Sequence, residues 1–121
     1  MSTDEVAKKL VELCRKGSWM DAVNSLYAND IVSVEPRPME GMPAEMRGLD
    51  QVRGKTKWFL DAHEVHSSKI SDPFVARDTF AVKFDIDVTD KASKKRMQMS
   101  ELGVYKVKDG KVAREEFLPQ V

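Results

Sequence analysis

The apolar residues at the start of the chain recur at the three- or four-residue spacing of a helix. Ser2 and Glu5 lie three positions apart, which is the spacing of a capping box at a helix N-terminus. An apolar stripe follows this signal and consists of Val6, Leu10, Leu13 and Cys14. The pattern predicts a first helix over residues 3–16 that ends at Gly17.

Two further segments show the same helical period. Ser18 with Asp21 repeats the start signal and predicts a second helix over residues 18–28, with an apolar stripe of Trp19, Val23, Leu26 and Tyr27. A third helix is predicted over residues 49–62 from a stripe that consists of Val52, Thr56, Phe59 and His63, widened by Trp58.

From residue 63 onward the apolar period falls to two, which is typical of strands with one buried face. The clearest run alternates with polar residues and consists of Phe80, Val82, Phe84, Ile86 and Val88. The next strand has on one face Met97, Met99, Glu101, Gly103, Tyr105 and Val107. Asp109–Gly110 predicts a hairpin. After it, the last strand, over residues 112–118, has on one face Ala113, Glu115 and Phe117.

The segment Leu26–Pro36 is an extended run that ends on an acid. Alternation places Ser33 and Glu35 on the same side of a strand, with apolar residues on the other side. Pro36 restricts the residue before it to an extended conformation, which holds the Glu35 carboxylate in one orientation. The pattern allows an inward carboxylate or an exposed glutamate at a sheet edge, because glutamate is rarely buried.

Three helices followed by an antiparallel sheet predict an α+β fold, with the helices gathered on one face of the sheet. The length of 121 residues suits one domain over residues 1–121. Twenty basic and twenty acidic residues give no net charge, which disfavours nucleic acid and anionic membranes as partners. Cys14 is the single cysteine, and no apolar run approaches the ~20 residues of a membrane span. We therefore expect a soluble, cytoplasmic protein.

His63 and His66 are the two histidines of the chain and invite a metal hypothesis. They lie three residues apart, whereas the helical zinc motif places its histidines four apart, and on a strand such residues point to opposite faces. No glycine-rich phosphate loop and no nucleophile elbow is present. We expect neither a metal nor a cofactor.

Glu101 and Glu115 share strand faces with residues that should belong to the core. A carboxyl group among Met99, Tyr105 and Phe117 would have its pKa raised by desolvation, as in many general acids and bases. A shift of one residue in the face assignment would instead send both acids to solvent. The pattern alone leaves both readings open.

The order of elements and the motif Tyr27-Ala-Asn-Asp30, with Val34-Glu35-Pro36 after it, resemble the nuclear transport factor 2-like superfamily and its SnoaL-like domains. The resemblance implies three N-terminal helices packed into the concave face of a curved, mainly antiparallel sheet. This arrangement forms a cone with an internal pocket.

Ketosteroid isomerase belongs to this superfamily, and the resemblance implies roles for two acids. Glu35 matches that enzyme's catalytic base, there an aspartate, and Glu101 falls near its protonated acid. The tyrosine that the isomerase carries on helix one is replaced by Leu10 or Val11. This departure favours the SnoaL-like polyketide cyclases, which use a single acid/base carboxylate in an apolar pocket.

The leading hypothesis is a cyclase or isomerase in which Glu35 removes a proton next to a carbonyl group. Protonated Glu101, or Tyr105, would stabilise the resulting enolate. The predicted ligand is a small hydrophobic molecule, bound by Tyr27, Trp58, Phe59, His63, His66, Met97, Met99, Tyr105, Glu115 and Phe117. The alternative is a ligand-binding or dimerisation module without chemistry. Two acids within ~5–8 Å of each other in a closed apolar cavity would favour the enzyme, and a cavity filled by side chains would favour the module.

A homodimer is expected through the outer face of the sheet. Leu102 and Val104 alternate with the predicted core residues and therefore face outward. Lys83, Asp85 and Asp87 would flank them and could pair across a two-fold axis.

Overall fold

The computed structural model describes residues 1–39 and 41–119 of the chain. The three predicted helices are present and their bounds agree with the sequence pattern to within two residues. They are α1 (Thr3–Arg15), α2 (Trp19–Leu26) and α3 (Leu49–Ala62).

The two helix start signals behave differently. At α1 the capping box is complete: Ser2 Oγ accepts from the Glu5 backbone N–H at 3.1 Å, and Glu5 Oε1 accepts from the Ser2 backbone N–H at 2.9 Å. At α2, Ser18 makes no side-chain capping bond, so the predicted second capping box is wrong. The helix also ends earlier than predicted, because Tyr27 already has an extended backbone and begins the first strand.

The strands form one curved, open sheet that is mainly antiparallel. They are β1 (Tyr27–Val34), β2 (Glu45–Arg47), β3 (His63–Ile70), β4 (Phe74–Ala76), β5 (Thr79–Asp90), β6 (Arg96–Lys108) and β7 (Lys111–Leu118). Their order across the sheet is β2-β1-β7-β6-β5-β3, and β4 also pairs with β5. β1 pairs in parallel with β7, so the segment that leads to Glu35 lies beside the last strand.

The predicted alternation on β5 is confirmed, and on β6 it holds from Met99 to Val107 but not at Met97, which is 39% exposed. Phe80, Val82, Phe84, Ile86 and Val88 are all buried and face the helices. Apolar side chains of all three helices, such as Val6 of α1, Val23 of α2 and Val52 of α3, join them in the core cluster. Three helices therefore cover the concave face of the sheet, and the fold is α+β as expected.

The last strand departs from strict alternation. β6 and β7 lose register at one point: Val107 pairs with Val112, and Lys106 pairs with Arg114. Ala113 is the extra residue of this β-bulge. The inward position that alternation predicts for Ala113 is taken by Val112, which is buried. Beyond the bulge, Glu115 lies on the inward face as predicted.

The turn between β6 and β7 is the predicted two-residue hairpin. Asp109 and Gly110 have φ angles of 53° and 76°, as a type I′ turn requires at both central positions. Within the described part of the chain, no helix combines the length and the apolar character needed to cross a membrane.

Candidate functional site

A cavity of about 160 Å³ lies between the helices and the concave face of the sheet. Nine of the twelve residues predicted to form the site line this cavity. They are Tyr27, Glu35, Trp58, Phe59, Met99, Glu101, Tyr105, Glu115 and Phe117. Further lining comes from Trp19, Phe84 and Lys55, which the sequence analysis did not assign to the site.

The other three predicted residues lie outside the lining. His63 stacks on Phe59 with 4.4 Å between ring centroids, and its Nδ1 is 2.9 Å from the Phe59 carbonyl oxygen. His66 is exposed, and its Nε2 is 2.7 Å from Thr89 Oγ1. Met97 is 39% exposed near the start of β6. His63 thus supports the end of α3, while His66 and Met97 lie on the surface.

Glu35 directly follows β1 and faces inward. Ile31 and Ser33, four and two residues earlier on the same side, are fully buried. The Glu35 side chain is 13% exposed, so it is not an exposed glutamate at a sheet edge. Its Oε2 accepts a hydrogen bond of 3.0 Å from Lys55 Nζ.

Lys55 is a buried lysine in the middle of α3. It falls three residues after Val52 and four before Phe59, on the apolar stripe that predicts this helix. The signal was therefore a charged residue at a core position. Sequence reasoning missed Lys55 because lysine usually lies at the surface.

Glu115 is the most buried acid of the site, with 3% exposure. Its Oε1 accepts a hydrogen bond from the Tyr27 hydroxyl, and its Oε2 accepts one of 2.7 Å from Ser33 Oγ. Ser33 Oγ in turn accepts from Lys55 Nζ at 2.5 Å. A continuous chain of hydrogen bonds therefore links Tyr27, Glu115, Ser33, Lys55 and Glu35.

Burial raises the pKa of Tyr27 well above its ordinary value, and the Glu115 carboxylate adds to this shift. The tyrosine hydroxyl is consequently held as a neutral donor. Since Glu115 accepts from two neutral hydroxyl groups and lies 3.6 Å from Lys55 Nζ, its charge is compensated within the protein. Both carboxylate oxygens of Glu115 are therefore bound by groups of the protein.

Glu101 lines the same cavity from β6. Burial raises its pKa to about 7, and the negative charges of Glu35 and Glu115 add to the shift while Lys55 opposes it. A carboxyl group with such a pKa exchanges a proton readily near neutral pH. The strand face predicted for Glu101 and Glu115 is the one that the structure shows.

Tyr105 lies two positions beyond Gly103 on the inward face of β6. A Cβ atom at Gly103 would be 2.7 Å from Tyr105 Cε2 and 2.9 Å from its hydroxyl oxygen. The ring therefore leans over Gly103, which brings the hydroxyl back along the strand toward Glu101. Burial, followed by the Glu115 charge, raises the pKa of Tyr105 well above its usual range, so the hydroxyl remains a donor.

Cys14 also lines the cavity, and burial raises the pKa of its thiol to about 12. A thiol with that pKa is not a nucleophile at neutral pH, in agreement with the place of Cys14 on the apolar stripe predicted for the first helix. Across residues 1–39 and 41–119, no three His, Cys, Asp or Glu side chains are grouped in a way that could hold a metal ion.

Comparison with known proteins gives one family and a set of similar structures. The family model of the SnoaL-like domain matches residues 1–118. A crystal structure from Mesorhizobium loti is 39% identical to this chain, with a TM-score of 0.90, and the match covers 98% of this chain and 100% of the other. That protein is described as a candidate SnoaL-like polyketide cyclase and also as a carbohydrate phosphatase.

More distant structures share the fold. A candidate SnoaL-like polyketide cyclase from Jannaschia sp. CCS1 is 11% identical, with a TM-score of 0.75 and coverage of 97% of this chain and 85% of the other. A candidate isomerase from Bacillus subtilis is 20% identical, with a TM-score of 0.71 and coverage of 97% and 88%. No curated protein matches the sequence.

Proposed function

Because this chain belongs to the family of SnoaL-like domains, we propose that it is a small enzyme that moves a proton next to the carbonyl group of a hydrophobic compound. One observation carries the proposal. A single apolar cavity contains Glu35, ion-paired to a buried lysine, and Glu101, whose pKa is raised to about 7. Two carboxyl groups in different electrostatic environments can divide the roles of base and acid.

Glu35 is the proposed base. The ammonium of Lys55, 3.0 Å away, pairs with the ionised carboxylate and fixes its position at the end of β1. Ser33 and Glu115 contact the same ammonium group and hold Lys55 in place. The Glu35 carboxylate that Lys55 binds is thereby also held at the cavity. A base held in this way meets a bound carbon acid without reorganisation.

Glu101 is the proposed acid. In its protonated form it donates a hydrogen bond to the carbonyl oxygen, on which negative charge develops when the neighbouring carbon loses its proton. The Tyr105 hydroxyl, leaning over Gly103, is the second donor. Glu101 and Tyr105 would together take the place of the tyrosine that ketosteroid isomerase carries on its first helix and that this chain lacks. The proposal requires no cofactor.

The relatives support this class of reaction. Both a polyketide cyclase and an isomerase, the functions named for the M. loti and B. subtilis proteins, are compatible with a carbanion formed next to a carbonyl group. The cavity of this chain is less compatible with a phosphatase, the other function named for the M. loti protein. Within the described lining, Lys55 is the single basic residue, and its ammonium is already bound to Ser33 and Glu35.

Deuterium exchange tests the proposal without knowledge of the natural substrate. Acetophenone carries exchangeable protons next to its carbonyl group, and its methyl signal in deuterated buffer is followed by NMR. The protein should accelerate the loss of this signal. Glu64→Gln, at an exposed position of β3, should catalyse exchange on acetophenone as fast as the unmodified protein does. No acceleration over buffer would favour the alternative, a ligand-binding module without chemistry.

We also propose a homodimer through the outer face of the sheet. Leu102, which is 45% exposed, pairs with Leu118 on β7, so both side chains lie on the outer face. Phe74, which is 75% exposed, reaches the same face and lies in one row with Ala81 and Val104. Adjacent exposed apolar residues of this kind mark interaction surfaces.

The charged residues that could pair across the dimer axis also have partners within the chain. Lys83 Nζ lies 3.5 Å from Asp85, and Arg96 binds both carboxylate oxygens of Asp87 at 3.0 and 2.7 Å. The dimer proposal therefore rests on the exposed apolar residues of the outer face alone.

A further inference from the structure

The cavity contains more acidic than basic groups. Its charged lining residues are Glu35, Glu101, Glu115 and Lys55, so three acids face one amine within the described lining. Glu35 and Lys55 compensate each other, and Glu115 relies on its two hydroxyl donors and on the same lysine. Among these lining residues, no cationic group remains for the third acid or for a ligand.

The Lys55 ammonium group already has its partners within the protein. Nζ lies 2.5 Å from Ser33 Oγ, 3.0 Å from Glu35 Oε2 and 3.6 Å from Glu115 Oε2. It also lies 5.2 Å from the centroid of the Phe117 ring. A ligand carboxylate could reach this ammonium only by displacing Glu35 or Ser33, which would leave a buried group without its partner.

The remaining walls suit a flat apolar body. Five aromatic residues other than the two tyrosines line the cavity: Trp19, Trp58, Phe59, Phe84 and Phe117. The volume of about 160 Å³ is close to that of the roughly 150 Å³ engineered cavity that binds benzene. A single ring with one carbonyl group would therefore occupy it.

We propose that the cavity selects an uncharged, ring-sized carbonyl compound and rejects a carboxylate of the same size. This inference rests on the proposed function, since it names the substrate class of the same site. The raised pKa of Glu101 agrees with it: burial disfavours a charged group at this place, and Glu35 and Glu115 add to this effect while Lys55 opposes it. A ligand carboxylate would meet the same repulsion in a low-dielectric site.

Acetophenone and benzoate form the test pair. They have the same ring and the same number of heavy atoms, but benzoate carries a full negative charge. Trp19 and Trp58, the two tryptophans of the chain, both line the cavity, so their fluorescence reports occupancy. Titration at about pH 8, where most Glu101 is ionised, should give saturable quenching by acetophenone and at least roughly tenfold weaker binding of benzoate. Free tryptophan corrects for collisional quenching.

Glu101→Gln isolates the charge, because the amide keeps the shape of the side chain and removes the ionisation. In this variant the preference for acetophenone over benzoate should shrink severalfold. Glu64→Gln, which removes an exposed acid outside the cavity, should keep the preference of the unmodified protein.

Three results would overturn the inference: benzoate binding as tightly as acetophenone, no saturable binding of acetophenone, or an unchanged preference in Glu101→Gln. The proposed function fails separately. If acetophenone binds selectively but exchanges no deuterium, charge selection stands and the proton-transfer chemistry does not.

Discussion

Lys55 shows where single-residue reasoning from sequence stops. Its helical position predicts burial, whereas its charge predicts exposure, and sequence alone cannot weigh the two. The conflict is resolved by Ser33, Glu35 and Glu115, which come from distant parts of the chain and supply the ammonium with partners. Burial of a lysine is stable only with such partners. For Glu35, by contrast, strand alternation and Pro36 already allowed the inward carboxylate that the structure shows, with an exposed glutamate at a sheet edge as the alternative.

Lys55→Met should destabilise the protein more than an ordinary surface change. Methionine fills similar space but leaves Glu35 and Glu115 without their shared cation, and breaking a buried ion pair typically costs roughly 3–5 kcal/mol. The free energy of unfolding in urea measures this effect. Lys57→Met is the control, because Lys57 lies two residues away on the same helix and pairs with Asp61 at the surface. Equal stability of the two variants would mean that the buried cluster contributes little.

The proton-transfer rate should depend on pH through Glu101. Its pKa is raised to about 7, so the donating, protonated form predominates below that pH and is lost above it. After subtraction of the exchange in buffer alone, the rate of deuterium exchange catalysed by the protein should therefore fall roughly tenfold per pH unit above about pH 7. Glu101→Gln should lose this decline, since the amide donates at every pH. A rate that rises through pH 7 would instead make Glu101 the base.

At the scale of elements, the periodic signals predicted most of the structure. The bounds of α3 agree with the prediction, and the alternation on β5 and β6 identified their buried faces except at Met97. The bulge at Ala113 could not be predicted, because an extra residue in one strand is defined only by its pairing with the neighbouring strand. The end of α2 was misplaced because Tyr27 fits both a helical stripe and a strand that serves the cavity.

Gly103→Ala should disturb β6 where it supports the site. The added Cβ would lie 2.7 Å from the ring of Tyr105 and 3.0 Å from that of Phe84, both of which are buried. Overpacking of this kind typically costs about 1–3 kcal/mol and would displace the Tyr105 hydroxyl. Urea unfolding measures the first effect and acetophenone exchange the second.

Gly54→Ala is the matched control, because Gly54 lies exposed in the interior of α3 and an added methyl group there would meet no neighbouring atom within 4 Å. It should stabilise the protein by about 0.5–1 kcal/mol through helix propensity. If Gly103→Ala also proves stabilising, Tyr105 does not need the space that Gly103 leaves.

At the scale of the whole molecule, the fold separates two faces of one sheet. The concave face holds the cavity, and the convex face exposes Leu102 and Phe74 to solvent. Strand alternation predicted the inward residues of β5 and the outward position of Leu102, whereas the outward position of Phe74 was not predicted. The volume of the cavity could not be predicted, because it depends on how far the helices stand from the sheet.

Leu102→Glu should convert the proposed dimer to monomers. Each copy of a symmetric interface meets itself, so the substitution brings like charges together near the axis. Sedimentation at high micromolar concentration distinguishes the two states. Lys108→Glu, at an exposed position close to the β6–β7 hairpin, should leave the assembly unchanged. An unmodified protein that sediments as a monomer would exclude this interface.

Glu35→Gln tests the central claim most directly. The amide keeps the shape of the side chain but cannot accept a proton at neutral pH, so the fold should persist in circular dichroism while exchange on acetophenone falls to the rate in buffer. Removal of general-base catalysis typically costs on the order of a hundredfold or more in rate. Exchange at the rate of the unmodified protein in a folded Glu35→Gln variant would remove Glu35 from the mechanism and contradict the proposed reaction.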